Sequence, residues 1–206
     1  MSKPRNKDRR GPVAGRFRSE KGLFLWQLLR NPSQVSAVAP SSRRLAREMA
    51  ASVPIGAECV AELGAGTGRL TRAILKRGVA PRNLHVFEIN PTFAARLRVT
   101  FPGVRIHEGP AQDLARNGPT QLDAVVSGLP LLSMPEAVRT EIVAAAFGKL
   151  GPTGVFVQFT YGAVSPVPDA ILQSYGLTYR RSRRIWTNLP PATVYTYFRS
   201  HETVPG

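Results

Sequence analysis

Apolar runs that alternate with helical stretches are the feature that most limits how this chain can fold. Five short apolar runs predict strands, at 59–63, 84–89, 104–107, 122–127 and 154–159. Three stretches between them predict helices, at roughly 68–77, 91–99 and 135–148. This alternation is typical of a parallel sheet with helices on both faces. Two further strand-like runs, 177–186 and 192–199, predict an antiparallel hairpin that closes the sheet of an α/β fold.

A glycine loop, Gly64-Ala65-Gly66-Thr67-Gly68, follows the first predicted strand and opens a helix at Arg69. Glycines permit a tight turn there and let a ligand touch the backbone. A dinucleotide-binding loop requires its third glycine at position 69, which is Arg69 here. The spacing therefore argues against NAD and flavin as ligands.

Two acidic residues accompany this loop. Glu88 ends the second predicted strand 20 residues after Gly68, where a carboxylate can accept hydrogen bonds from both hydroxyls of a ribose. Glu62 comes just before the glycines, in place to meet the loop backbone or an ammonium group of the ligand. A strand, a glycine loop and an acid at this spacing together predict a nucleoside-binding site.

This pattern resembles the class I S-adenosylmethionine-dependent methyltransferases. The resemblance implies a Rossmann-like seven-stranded sheet with an antiparallel last strand, S-adenosylmethionine as cofactor and S-adenosylhomocysteine as product. Many such enzymes place an aspartate against the adenine amino group where this chain has Pro110, so that contact is left to Gln112, Asp113, a backbone carbonyl or water. The implied cofactor-binding residues are Glu62, Gly64, Ala65, Gly66, Gly68, Glu88, Ile89, Ala111, Gln112 and Ser127.

Motifs over residues 24–198 resemble, in order, the bacterial phospholipid N-methyltransferases of the Rhodobacter-like type. They are Phe24-Leu25-Trp26 with Asn31-Pro32, Ala37–Ser42, Ser127–Pro135, Gln158–Gly162 and Asn188–Ala192. This resemblance implies successive methylation of phosphatidylethanolamine, through its mono- and dimethyl derivatives, to phosphatidylcholine. A basic rRNA adenine N6-dimethyltransferase is the main alternative. Those enzymes typically follow their Leu-Pro with an aromatic residue that stacks on the extruded base, whereas Leu131 and Leu132 follow Pro130 here.

The family resemblance also places candidate residues for the chemistry. We expect Tyr161 to contact the substrate amine and Ser127 to face the methyl group and nitrogen. Tyr161 fits a packing role at the sheet edge equally well. Ser127 is explained equally well by simple turn formation, and Leu131 can be an ordinary core residue. Arginines at 180, 181, 183 and 184, or at 43 and 44, are candidates for holding a lipid phosphate. The expected substrate-binding residues are Ser41, Pro130, Leu131, Tyr161 and Asn188.

Positive charge is concentrated near the N-terminus. The net charge is +15, and residues 1–50 contain 12 basic and 3 acidic side chains, which favours a polyanionic partner. We predict a flexible basic arm (1–18), an amphipathic region (19–52) and a methyltransferase domain (53–206). Lys21, Phe24, Trp26 and Arg30 in the second segment are typical of a helix that docks peripherally on an anionic membrane, although an ordinary N-terminal helix packed on the domain fits equally well.

Other classes are less consistent with the sequence. No Cys/His cluster has metal-ligand spacing, and no apolar stretch is long enough to span a bilayer. The single cysteine, Cys59, cannot form an internal disulfide and favours a cytoplasmic protein, here expected at the inner face of the membrane. Nucleic acid is the less favoured partner. A non-catalytic lipid- or nucleic-acid-binding module also remains open, and the complete glycine loop with Glu88 weighs against it.

Overall fold

The apolar runs of the sequence form the strands of a seven-stranded sheet in the computed structural model, which describes residues 42–188 and 190–200. The strands are β1 (Val60–Leu63), β2 (Leu84–Glu88), β3 (Arg105–Glu108), β4 (Leu122–Ser127), β5 (Leu150–Thr160), β6 (Leu177–Arg181) and β7 (Thr193–Arg199). Their order is β3-β2-β1-β4-β5-β7-β6, and β7 is antiparallel to both of its neighbours. The predicted sheet with its antiparallel last strand is confirmed.

Helices cover both faces of this sheet because each presents an apolar side to it. They are α1 (Arg43–Ala51), α2 (Arg69–Lys76), α3 (Pro91–Thr100), α4 (Leu114–Asn117), α5 (Glu136–Lys149) and α6 (Asp169–Ser174). Side chains of α1, α2 and α3 form one core with the sheet, and those of α4, α5 and α6 form a second core on the opposite face. Burial of both strand faces explains why the central strands are mostly apolar.

Helix α1 belongs to the core of the domain. The Ser42 hydroxyl accepts a hydrogen bond from the Leu45 amide at 3.1 Å and so caps the helix. Leu45 and Met49 are fully buried in the same core as the sheet. The predicted domain boundary at residue 53 thus lies after a helix that the described domain includes.

The last two strands differ in extent from their predicted ranges. Strand β6 stops at Arg181, five residues before the predicted end at 186. There the Ser182 amide still donates to the Val194 carbonyl at 2.8 Å, but the Val194 amide donates to the Ser182 hydroxyl at 3.0 Å instead of to a backbone carbonyl. Pairing resumes only as an isolated bridge between Ile185 and Ala192. The segment between β6 and Ile185 carries the exposed side chains of Arg183 and Arg184, and Arg184 lies beside the carboxyl end of β5.

The expected membrane-docking residues lie outside the described part of the chain: Lys21, Phe24, Trp26 and Arg30, with the predicted N-terminal amphipathic helix. The predicted substrate residue Ser41 lies outside it too. Among residues 42–188 and 190–200, no helix has the length and apolar character needed to cross a bilayer.

Candidate active site

The glycine loop lies at the carboxyl edge of the parallel strands and is held by backbone hydrogen bonds. The Gly64 amide donates to the Phe87 carbonyl at 2.8 Å, and the Gly68 amide to the Ala65 carbonyl at 2.9 Å. All three glycines have positive φ, a region that L-residues with a Cβ rarely occupy. At Gly68 an added Cβ would also come within 2.5 Å of Phe101. At Gly66 it would meet nothing within 4 Å, so the backbone there is open to a ligand.

Glu88 organises this loop. Its two carboxylate oxygens accept hydrogen bonds from the Gly66 and Asn90 amides, each at 2.8 Å. The side chain is only 5% exposed, and each oxygen keeps further acceptor capacity because a carboxylate oxygen has two lone pairs. Glu88 can therefore fix the loop and still accept from ribose hydroxyls. The next residue, Ile89, is 45% exposed and leaves an apolar surface beside this position.

Glu62 is a buried carboxyl group without a hydrogen-bond partner. It is fully buried on β1, and neither of its oxygens makes a hydrogen bond among the described residues. Burial raises the pKa of Glu62 to about 8. The Thr71 hydroxyl and amide lower the pKa without reaching hydrogen-bond geometry, and the Glu88 charge raises it. An unpartnered acid beside an open glycine loop fits the ammonium group of S-adenosylmethionine.

The loop after β3, which the resemblance assigns to adenine binding, contains Pro110. Ala111 is buried, and the Gln112 amide group donates to Glu141 of α5 at 3.3 Å. The Asp113 amide closes the turn on the Pro110 carbonyl at 3.0 Å. The structure therefore places Ala111 and Gln112 after β3, at the same edge as the glycine loop. Their contacts with adenine stay a prediction.

A buried glutamine holds the loop after β4. The Gln158 side-chain amide donates to the Leu129 carbonyl at 2.7 Å and to the Phe159 carbonyl at 2.9 Å. Its other polar atom, Oε1, is buried and makes no hydrogen bond with the described residues. Gln158 lies beside Ser127 in the β4–β5 register, and the sequence interpretation assigned it no role. A fully buried polar residue in an otherwise apolar strand was the signal that could have identified it.

The loops after β1 and β4 touch through two glycines. A Cβ at Gly128 would lie 2.7 Å from the Gly64 carbonyl oxygen, so no larger residue fits there. Ser127 is fully buried, and its hydroxyl is 3.4 Å from the Leu129 amide. The predicted catalytic Ser127 therefore lies where the cofactor loop and the β4 loop meet.

Tyr161 and Asn188 come together from distant parts of the sequence. Tyr161 is partly buried and packs edge-on against Phe159, with ring centroids 5.1 Å apart. Burial raises the pKa of Tyr161, and the nearby Asn188 side chain opposes that shift without reaching hydrogen-bond geometry. Asn188 also accepts from the Ser42 amide at 2.9 Å and donates to the Pro190 carbonyl at 2.7 Å. The start of α1 and the turn before β7 are thus tied at the Tyr161 site.

The remaining substrate candidates are placed differently from one another. Leu131 is buried in the core on the α5 face, whereas Leu132 is 38% exposed. Pro130, which precedes Leu131 in the loop after β4, is partly buried. Of the candidate arginines, Arg184 reaches the site, since its guanidinium donates to the Tyr161 carbonyl at 3.4 Å. Arg180 stacks over Phe198 instead.

Comparisons with known proteins agree with this geometry. A family model described as a methyltransferase domain matches residues 60–154. The chain is 32% identical over 183 residues to the ornithine lipid N-methyltransferase of Singulisphaera acidiphila, covering 84% of this chain and 93% of that protein.

Solved structures share the fold at low identity. The 1,6-didemethyltoxoflavin-N1-methyltransferase of Burkholderia thailandensis matches with a TM-score of 0.68 and 18% identity, over 93% of each chain. The glycopeptide N-methyltransferase MtfA, solved with S-adenosylmethionine, matches with a TM-score of 0.59 and 16% identity, over 79% of this chain and 96% of that one. The chain therefore belongs to the class I S-adenosylmethionine-dependent methyltransferases, in the family of the ornithine lipid N-methyltransferase that it resembles.

Proposed function

We propose that this methyltransferase transfers methyl groups to the primary amine of a membrane lipid headgroup, converting phosphatidylethanolamine stepwise to phosphatidylcholine. The observation that carries the proposal is the relative just described, a lipid N-methyltransferase matched over nearly its whole length. Ornithine lipid is the second candidate substrate because that relative's name specifies it. Ethanolamine and ornithine headgroups both present a primary amine, so the same nitrogen chemistry serves either lipid.

Residues of the parallel strands would hold the cofactor. S-adenosylmethionine supplies an electrophilic methyl group on a sulfonium. Glu88 and the backbone around Gly66 fit its ribose and amino-acid portions, and Glu62 fits its ammonium group. These contacts fix the position of the methyl group, so proximity and orientation supply much of the catalysis.

The substrate amine must lose a proton to the solvent before it can attack. An alkylammonium with a pKa of about 10 is mostly protonated at neutral pH. Because burial raises the pKa of Tyr161, its phenol keeps its proton and serves to orient the nitrogen rather than to remove its proton. The aromatic ring favours the positive charge that develops on the nitrogen during each transfer. Ser127 and the free Gln158 Oε1 border the same region.

The β4 loop favours a lipid over a flipped base. The residues directly after Pro130 are Leu131 and Leu132 rather than an aromatic residue, and Leu131 is buried in the core. An exposed Leu132 offers an apolar surface that suits the glycerol and acyl region of a lipid. This function requires the protein to meet its substrate at a membrane surface, which we propose is the inner face of the cytoplasmic membrane.

The test is methyl transfer from labelled S-adenosylmethionine to three separate acceptors. They are vesicles containing phosphatidylethanolamine, vesicles containing ornithine lipid, and ribosomal RNA. We expect label in the mono-, di- and trimethylated forms of phosphatidylethanolamine. Label in ornithine lipid alone would select the second candidate, and label in RNA alone would overturn the proposal. A Glu88→Ala variant, expected to lose cofactor binding, provides the background.

A further inference from the structure

Three exposed apolar side chains lie on the segments that neighbour Tyr161. Trp186 is 75% exposed, Val164 64% and Leu132 38%. The Leu132 side chain packs against Gly162, with its Cδ1 atom 3.0 Å from where a Cβ would stand. Val164 lies in the same loop, two residues further on. These residues, together with Arg183 and Arg184, are named here the Trp186 rim.

The rim is tied directly to the candidate active site. The Arg184 guanidinium donates to the Tyr161 carbonyl at 3.4 Å and also lies over the Trp186 ring, 5.5 Å from its centroid. One arginine therefore connects the exposed tryptophan to the residue expected to meet the substrate amine. A ligand that covers Trp186 would lie next to the Tyr161 loop.

The charge of the rim has a single sign. The two segments that form most of it, 161–168 and 182–188, contain two arginines and no aspartate or glutamate. Scattered exposed apolar residues are ordinary on a protein surface. A tryptophan beside arginines is different, because tryptophan is favoured at the membrane–water interface and arginine is attracted to anionic headgroups.

We propose that the Trp186 rim docks the catalytic domain on an anionic lipid bilayer. Trp186 and Val164 enter the headgroup layer, and Arg183 and Arg184 face lipid phosphates. A lipid amine then reaches Tyr161 while its acyl chains stay in the membrane. The inference rests on the proposed function, and it assigns docking to the catalytic domain independently of the basic N-terminal segment.

The test follows Trp186 itself. The chain has two tryptophans, so Trp26→Phe in the full-length protein leaves Trp186 as the sole tryptophan fluorophore. Vesicles of phosphatidylglycerol with brominated acyl chains serve as the probe, without cofactor. We expect a blue shift and quenching of Trp186. Sedimentation with these vesicles while Trp186 stays unquenched would overturn the proposal, as would absence of any binding.

Variants in the Trp26→Phe background separate the rim from general charge. Arg183→Glu should lower the partition coefficient onto phosphatidylglycerol vesicles by about fivefold or more, the factor equivalent to ~1 kcal/mol for one surface arginine. Arg82→Glu, at the amino edge of the sheet, is the charge-matched control and should lower it less. Equal losses in both variants would show attraction by net charge alone and would refute the rim.

The apolar part of the rim has its own control. In the otherwise natural sequence, Trp186→Ala should weaken vesicle binding, whereas Ile55→Ala should not, although Ile55 is 87% exposed. Equal binding by wild type and Trp186→Ala would contradict insertion. Phosphatidylglycerol has no amine, so docking is measured without methyl transfer. If Trp186 is quenched by these vesicles but the protein methylates no lipid, the proposed function is refuted and the docking surface is not.

Discussion

The two halves of the sheet carry the candidate site in different ways. In the parallel half, β1 to β4, the predicted cofactor residues are held by hydrogen bonds from loop amides close to the strand ends, from Gly64 to the Phe87 carbonyl and from Gly66 to the Glu88 carboxylate. In the half built from β5, β7 and β6, the site depends on side-chain bonds between distant segments. The Ser42–Asn188 bond joins residues 146 positions apart.

This difference separates two tasks. In our proposal, backbone amides and positive-φ glycines form a rigid cradle for the cofactor, and side chains such as Tyr161 and Asn188 bind the substrate. Substitutions in the parallel half should therefore alter cofactor affinity, and substitutions near β5 and β7 should alter turnover.

The largest effect is expected at Glu88. Glu88→Ala removes the acceptor for two loop amides at once, and affinity for S-adenosylmethionine should fall about a hundredfold or more, because hydrogen bonds to charged groups contribute about 1.5–3 kcal/mol each. Isothermal calorimetry measures this loss. Glu108→Ala is the matched control: Glu108 pairs with Glu88 in the strand register but is exposed and bonded to Arg98 at 3.3 Å. Equal losses at both positions would contradict the assignment.

Two glycines of the loop should respond differently to alanine. Gly66→Ala introduces only the strain of an L-residue at positive φ, about 1–2 kcal/mol. Gly68→Ala adds a clash with Phe101 and Leu97, a further ~1–3 kcal/mol of overpacking. Urea denaturation gives both free energies of unfolding. A Gly68→Ala variant no less stable than Gly66→Ala would show that the loop relaxes freely and that the cradle is not rigid.

Cofactor binding should release a proton from Glu62. The pKa of this acid is raised from 4.5 to about 8 in the ligand-free protein, so it is mostly protonated at pH 7 and should ionise beside an ammonium group, releasing close to ~1 proton. Calorimetry in buffers of different ionisation enthalpy counts it. Glu62→Gln should bind about tenfold to a hundredfold more weakly and release fewer protons. Unchanged proton release in this variant would assign the proton elsewhere.

The same shift makes stability depend on pH. Since the folded protein holds the Glu62 proton more tightly than the unfolded chain does, this stabilisation is complete below pH 4.5 and declines as the pH rises towards 8. In thermal denaturation without cofactor, wild type should lose more stability than Glu62→Gln between those pH values. Parallel curves would contradict the raised pKa.

The smallest effect, and the one that distinguishes the two halves, is expected at Tyr161. Tyr161→Phe keeps the packing on Phe159 and removes one hydroxyl, so turnover should fall about tenfold with affinity for S-adenosylmethionine unchanged. Tyr179→Phe, in an exposed position of β6, is the control. Loss of cofactor affinity in Tyr161→Phe would contradict the assignment of cofactor binding to the parallel half. Unchanged turnover would show that Tyr161 is a packing residue.

Local pattern was sufficient for the parallel half. The glycine loop, Glu88 and the strand–helix alternation are consecutive in the chain, and short-range sterics and hydrogen bonds decide their conformation. The prediction was less complete where side chains compete with the backbone. Where β6 ends, the Ser182 hydroxyl takes the place of a backbone acceptor, and nothing in the strand-like run 177–186 indicated this side-chain bond.

The sequence by itself determined the sheet, its antiparallel last strand and a nucleoside-binding loop, because apolar periodicity and a glycine loop act over a few residues, and the family resemblance added the cofactor. Only the tertiary structure decided that Leu131 is core while Leu132 is exposed, that Gln158 holds the β4 loop, and that Arg184 links Trp186 to the Tyr161 backbone. Those outcomes depend on which distant segments meet at one edge of the sheet, and contacts between distant segments leave no periodic signal in the chain.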